Sequence, residues 1–200
     1  EKLAKLNEAS QLLAQAVQTI DYYHSVPDST ILGALLNRAH AHFWLGICAE
    51  RIEPDWERAI QLYQTVIMTR STSKGRLDLL DFPTAEAYTQ LGFIDLWAKW
   101  VNDQLPTEAQ IFRSRQPTLL QDAITSYEAG LKHLLTMQEN TQVAEYTVDI
   151  SSWAITAFCL GKRDDLVATY LKQFSEEVPG WSLEDMSKRI NSSIRKECGL

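Results

Sequence analysis

The sequence lacks the features that identify several large classes of protein. No apolar run approaches the roughly 20 residues that a membrane-spanning helix needs. Gly-rich phosphate loops and the G-x-S-x-G and H-E-x-x-H motifs are missing. The three cysteines are isolated, so no C-x-x-C pair is present for zinc or thiol chemistry. We therefore predict no catalytic residue, no cofactor, no metal site and no membrane span, and we expect the protein not to be an enzyme.

The small, odd number of cysteines also bears on location. Cys48 and Cys159 lie in apolar helical stretches, where cysteine behaves as a small hydrophobe, and Cys198 lies near the C-terminus. We expect three reduced thiols and a cytoplasmic protein. The N-terminus has neither an initiator Met nor the apolar core of a signal peptide, which is consistent with a piece of a longer protein.

Basic residues are in the minority. The chain has 19 Lys and Arg against 26 Asp and Glu, a formal charge of -7. Because affinity for nucleic acid depends on many Lys and Arg contacts with phosphates, we expect no nucleic-acid partner. The 200 residues are 45% hydrophobic, which is enough to bury a core.

The sequence does contain apolar residues at helical spacing. From Leu3 to Ile20 they recur at three- and four-residue steps, and similar stretches follow between short breaks that contain Gly or Pro. No stretch alternates polar and apolar residues in the manner of a strand. We therefore predict an all-α fold of roughly eight helices, joined mainly by short connections that favour antiparallel neighbours.

A spaced pattern occurs twice along these helices: Leu-Gly on one helix is followed by Ala-x3-Tyr on the next. The residues are Leu45-Gly46, Ala59 and Tyr63 in the first copy, and Leu91-Gly92, Ala123 and Tyr127 in the second. Glycine permits close approach of the partner helix, alanine faces it, and tyrosine supplies bulk one turn later. The pattern resembles that of the tetratricopeptide repeat, a family of stacked helical hairpins.

The resemblance implies one domain over residues 1–200, built as a short right-handed solenoid of antiparallel hairpins with capping helices at both ends. The predicted segments are an N-terminal helix at 1–24, a first hairpin at 29–70, a second hairpin at 82–137 with an insertion at 102–116, a third, degenerate hairpin at 141–177 and a C-terminal capping helix at 182–198. About half of the chain carries the repeat pattern itself.

The resemblance also implies a scaffold for protein–protein interaction, with the partner in a concave groove lined by the first helix of each hairpin. The corresponding positions are His40, Phe43, Ile47 and Glu50 in the first unit, Glu86, Thr89, Phe93 and Leu96 in the second, and Ser151, Ala154 and Phe158 in the third. Members that bind chaperone tails use Lys and Asn in this groove, whereas this chain has Phe43, Ile47 and Gln90. An apolar groove suits an amphipathic helix or an extended hydrophobic peptide. The alternative is that the chain's own terminal helices cover Phe43, Ile47 and Phe93.

Two basic spots lie outside the repeat pattern. One comprises Arg70, Lys74 and Arg76, and the other comprises Arg113 and Arg115. Insertions of a scaffold often carry contacts with a specific partner, so these side chains are further candidates for partner binding, with solvated loop charge as the alternative.

Three other features allow more than one interpretation. Asp95 lies on an apolar helix, where a carboxylate must find a hydrogen-bond partner or shift its pKa. It either forms a structural hydrogen bond or marks the pocket of a helical enzyme or small-ligand sensor. His40 and His42 are two residues apart, on nearly opposite sides of a helix, so they cannot share a metal and are expected to be solvated or hydrogen-bonded. The six Trp are expected in the core rather than on a base-stacking surface.

A regulatory helical module of a larger signalling protein is a further alternative for the function. The sequence indicates neither the identity of the partner nor an oligomeric state.

Overall fold

The structure is a computed structural model that describes residues 2–23, 31–51, 55–72, 78–100, 111–137, 140–190 and 192–199. These residues contain helices and no strand, so the predicted all-α class is confirmed. The helices are α1 (Lys2–Tyr23), α2 (Ile31–Arg51), α3 (Trp56–Thr72), α4 (Asp78–Trp100), α5 (Ile111–Arg115), α6 (Leu119–Leu135), α7 (Thr141–Leu160), α8 (Asp164–Glu177), α9 (Leu183–Arg189) and α10 (Ser192–Glu197).

Two helices begin directly after a residue whose side chain caps them. Asn140 precedes α7, and its side-chain oxygen accepts hydrogen bonds from the backbone N–H groups of Gln142 and Val143 at 2.9 and 3.4 Å. Ser182 precedes α9 in a Ser-x-x-Asp capping-box pattern, and its hydroxyl accepts a hydrogen bond from the backbone N–H of Asp185 at 3.1 Å. Local chemistry therefore sets where both helices begin.

Two helices differ from the predicted boundaries. Helix α4 begins at Asp78 and contains Pro83, although the sequence pattern placed its start beside that proline. Pro83 is the sixth residue of α4, so it lies beyond the first turn and lacks the N–H that would bond the carbonyl of Leu79. The predicted C-terminal helix is divided into α9 and α10, because Ile190 has an extended backbone with φ of -83° and ψ of 137°.

The chain divides into two compact units. The first contains α1, α2, α3 and the part of α4 up to Ala87, and the second contains α4 from Tyr88 onward, α5 from Phe112 onward and α6 to α10. Each unit has its own buried residues. The first is built on α2, which packs against both α1 and α3, and the second on α7, against which α6, α8, α9 and α10 pack.

Each unit contains a glycine that lies directly against a tyrosine ring. A Cβ added to Gly46 of α2 would lie 2.5 Å from Cε1 of Tyr63 on α3, and one added to Gly92 of α4 would lie 2.9 Å from Cδ2 of Tyr127 on α6. Both tyrosines are completely buried. The close helix approach predicted from Leu-Gly and Ala-x3-Tyr is therefore confirmed at both glycines.

We expect Gly92→Ala to lower the free energy of unfolding. The added methyl would also lie 3.0 Å from Cγ of Tyr127, and this base of the ring can move aside only by a χ1 rotation that swings the whole buried ring or by a shift of the backbone. Overpacking of this kind costs about 1–3 kcal/mol, which exceeds the gain of up to about 1 kcal/mol in helix propensity. Urea unfolding followed by circular dichroism measures the difference.

The control repeats this substitution in a Tyr127→Ala background, where the ring and its Cγ are absent. There Gly92→Ala is expected to be neutral or stabilising. Equal destabilisation in both backgrounds would contradict the assigned contact.

Candidate functional site

The four groove positions predicted on α2 are not equally accessible. Phe43 is only 3% exposed, and its ring lies 5.7 Å from the Tyr63 ring between centroids. His40, Ile47 and Glu50 are half-buried. Glu50 accepts a hydrogen bond from the Tyr63 hydroxyl at 3.1 Å. Burial raises the pKa of Glu50, although this bond and the neighbouring Arg51 lower it in part. Phe43 therefore belongs to the packed interior of the first unit.

The groove positions predicted on α4 also differ from one another. Thr89 and Leu96 are 0% and 1% exposed, and the hydroxyls of Thr89 and Tyr146 share a hydrogen bond at 2.5 Å. Glu86 belongs to the first unit and is half-buried, and burial raises its pKa to about 7. Of the four positions predicted on α4, Phe93 is the one with a large apolar side chain that is partly exposed.

The groove positions predicted on α7 are all buried. Ser151, Ala154 and Phe158 are each 0% exposed. The Phe158 ring stacks on Tyr170 of α8 at 5.4 Å between centroids. The Ser151 hydroxyl accepts a hydrogen bond from the indole Nε1–H of Trp181 at 3.1 Å. The chain itself therefore covers this part of α7. The alternative interpretation from the sequence names Phe43, Ile47 and Phe93 as the covered positions.

Three aromatic residues meet at the surface of the second unit, and we name them the aromatic surface: Phe93 and Trp100 of α4 and Trp153 of α7. Trp153 lies edge-on to both of the others, with centroid distances of 5.2 Å to Phe93 and 6.3 Å to Trp100. Trp100 is 48% exposed and Trp153 is 37% exposed. These rings form one continuous patch that is open to solvent.

The expectation that the tryptophans serve core packing is wrong for Trp44, Trp100 and Trp153, which are exposed. For Trp100, the spacing in the sequence already indicates a neighbour on the same side of its helix. Phe93 and Trp100 are seven residues apart, which places them on the same side of a helix. The contribution of Trp153 depends on how α7 packs beside α4, and that information is not local in sequence.

An acidic row leads to the aromatic surface along α7. Glu145 and Asp149 precede Trp153 at four-residue steps, so the three side chains share one side of the helix, and all three are exposed. Asp149 accepts a hydrogen bond from the Arg189 guanidinium at 2.5 Å, in an exposed ion pair. The row therefore presents negative charge next to apolar rings and accommodates a guanidinium.

The predicted basic spots contain two arginines that the chain itself binds. Arg70 pairs with Asp81 of α4. Arg115 Nη2 lies 2.9 Å from Asp95 Oδ2 and 3.0 Å from Asp122 Oδ2, so it links the end of α5 to α4 and α6. Arg113 is exposed. Lys74 and Arg76 lie outside the described residues, as does most of the predicted insertion.

Asp95 has the hydrogen-bond partner that its structural interpretation requires. Its side chain is 5% exposed and accepts a hydrogen bond from Arg115, whose side chain is 30% exposed. Burial nevertheless raises the pKa of Asp95 to about 6, because desolvation of the carboxylate outweighs the attraction of the guanidinium. The hydrogen-bonded histidine expected from the sequence is found at His42, whose Nδ1 lies 2.8 Å from the Arg38 carbonyl oxygen.

The cysteines differ from expectation. Cys159 and Cys198 form a disulfide, so the prediction of reduced thiols is wrong for this pair. The bond joins the end of α7 to the residue after α10, which no local spacing indicates. Cys48 is a buried free thiol, and burial raises its pKa.

Within the described ranges, no group of three or more His, Cys, Asp and Glu side chains is arranged to hold a metal ion. Among the same residues, no helix combines the length and hydropathy required to cross a bilayer. Comparison with protein-family models, with curated proteins and with solved structures finds no match to this chain. The likeness to tetratricopeptide repeats therefore depends on the residues described above.

We expect Arg115→Ala to destabilise the second unit much more than Arg113→Ala. Removing Arg115 leaves the buried Asp95 carboxylate without this partner, at a cost on the order of 2 kcal/mol for a partly exposed pair. Arg113 lies on the same short helix and is exposed, so its removal should change stability by less than about 0.5 kcal/mol. Urea unfolding compares the two, and equal effects would contradict the anchoring role of Arg115.

We expect stability to depend on the ionisation of Glu86. Its pKa is raised from 4.5 to about 7 in the folded chain, so folding favours the protonated form. The resulting stabilisation is complete below pH 4.5 and is lost as the pH rises through about 7. Between pH 6 and pH 8 this contribution should fall by on the order of 1 kcal/mol.

The measurement is the difference in unfolding free energy between parent and Glu86→Gln at each pH. This difference isolates Glu86 from His40, whose lowered pKa makes the opposite contribution, a gain of stability as the pH rises through about 6.5. Glu176→Gln, an exposed change on α8, serves as the control. A parent-minus-variant difference that does not vary with pH would contradict the assignment.

Proposed function

We propose that this chain is a protein–protein interaction scaffold with a tetratricopeptide-like arrangement of hairpins, and that the aromatic surface binds an amphipathic helix of a partner protein. The observation that carries the proposal is the contact of Trp100 and Trp153 with each other while both remain exposed. The close approaches at Gly46 and Gly92 support the hairpin arrangement.

The aromatic surface has the composition of an interaction site. Tryptophan is enriched among the residues that contribute most to binding energy, because it buries a large area and loses little side-chain entropy. An isolated exposed apolar residue is ordinary, whereas contiguous exposed rings are typical of binding sites. Phe93 was a predicted groove position, and it is the one that contacts Trp153.

The partner's chemistry follows from the neighbouring charge. The acidic row of Glu145 and Asp149 leads to Trp153 along α7, and the Arg189–Asp149 pair shows that a guanidinium fits there. Lys99 is adjacent to Trp100 in sequence but lies about 100° away around α4. A helix with large apolar residues on one side and Lys or Arg along its edge complements these features.

Alternative functions have weaker support. A pocket around Asp95 would leave its carboxylate available, whereas Arg115 binds it here. We therefore propose that the chain acts by binding and not by catalysis. A regulatory module of a larger signalling protein would use the same surface. The proposal includes a cytoplasmic location. In the cytosol a disulfide is usually transient or redox-sensing, so the proposal also implies such a role for the Cys159–Cys198 bond.

We expect the chain to bind a fluorescein-labelled model peptide with Leu on one helical side and Lys along its edges. A twin with Glu in place of every Lys should bind at least about tenfold more weakly, because it meets the acidic row with like charge. The double variant Trp100→Glu and Trp153→Glu should lose binding of the Lys peptide. Fluorescence anisotropy measures all three affinities.

The control is Trp44→Glu, which makes the same type of substitution at one exposed tryptophan of the first unit. It should bind the Lys peptide as the parent does. Equal binding of the two peptides, or equal weakening by the control and the double variant, would contradict the proposal.

A further inference from the structure

We propose that α9 and α10 form a removable cover on α7, and that reduction of the Cys159–Cys198 disulfide releases it. We name these two helices, together with Cys198, the C-terminal cover. The inference goes beyond the proposed function, because it concerns a conformational change of the chain itself and requires no partner.

The C-terminal cover lies along one side of α7. Asp149, Ser152, Thr156 and Cys159 follow one another at steps of three and four residues, so they share that side. The two ends of this series are bound to the cover: Asp149 pairs with Arg189, and Cys159 is bonded to Cys198. The cover therefore runs in the same direction as α7, from Arg189 beside Asp149 to Cys198 beside Cys159.

The noncovalent attachment of the cover is limited. Helices α9 and α10 contain 7 and 6 residues, fewer than the roughly 12–15 that an isolated helix needs. Their large buried apolar side chains are Met186, Ile190 and Ile194. The ion pair with Asp149 is exposed to solvent and adds little. The disulfide is the covalent attachment of the cover to α7, and without it the cover is held by noncovalent contacts alone.

Two side chains of α7 that lie between the attachment points of the cover are polar. Ser152 and Thr156 are 5% and 3% exposed, and Ser151 accepts the hydrogen bond of Trp181, the residue that leads into α9. Hydroxyl groups regain hydrogen bonds with water when they are uncovered, whereas apolar groups lose free energy in proportion to their area. Release of the cover should therefore leave the rest of the second unit folded.

The chemical step is thiol–disulfide exchange with a dithiol reductant. A thiolate of the reductant attacks the sulfur of Cys198, which is half-buried, whereas Cys159 is buried. The Cys159–Cys198 bond breaks, a mixed disulfide forms at Cys198, and Cys159 leaves as a thiolate. The second thiol of the reductant then attacks the mixed disulfide and releases Cys198. The reductant is oxidised to its disulfide, and the two protons that its thiols lose convert Cys159 and Cys198 to thiols.

The test compares the oxidised full chain with the same chain reduced by dithiothreitol, using amide hydrogen exchange read by mass spectrometry. Peptides from α10 and from the α7 segment 149–159 are expected to exchange at least about tenfold faster after reduction. Peptides from α6 and α8 should be unchanged. Cys198→Ser should behave without reductant as the reduced parent does.

Cys48→Ser is the matched control, because it removes the buried free thiol of the first unit and leaves the disulfide in place. It should respond to reduction as the parent does. Three results would overturn the proposal: free thiols at Cys159 and Cys198 in the chain before reduction, unchanged exchange in α10, or faster exchange throughout the second unit. None of them involves the model peptide, so this test and that of the proposed function fail independently.

Discussion

The contact between Gly92 and the Tyr127 ring sets the orientation of α4, and the exposed features of the second unit depend on it. With Gly92 against α6, residues one and eight positions further along are rotated by about 80–100° to the adjoining side of the helix. These residues are Phe93 and Trp100, which there meet Trp153 of α7. A residue without a side chain thus determines where three aromatic rings gather.

Burial and ion pairing act in opposite directions at Asp95, and the balance between them explains the role of Arg115. Desolvation alone would favour a neutral carboxyl group, and the pKa of about 6 shows that Arg115 offsets it only in part. The guanidinium also bonds Asp122 at the start of α6. Arg115 therefore joins the end of α5 to two longer helices.

Local signals explain which parts of this structure the sequence could predict. Helix class, the caps at Asn140 and Ser182 and the close approaches at Gly46 and Gly92 each depend on residues a few positions apart or on one adjacent helix. The exposure of the tryptophans and the Cys159–Cys198 bond depend on which helices lie beside α7. The disulfide joins residues 39 positions apart. Periodicity shows that a side of a helix is apolar, but not which neighbour covers it.

Asp149 of α7 takes part in both features proposed above, the binding surface and the C-terminal cover. It is part of the acidic row that leads to Trp153, and it also pairs with Arg189 of the C-terminal cover. While the cover is in place, the guanidinium offsets the charge of this carboxylate beside the aromatic surface. Removal of the cover takes that positive charge away, so the acidic row becomes more negative and more attractive to a basic helix. The redox state of a disulfide at the far end of α7 would thus tune a binding surface that it does not touch.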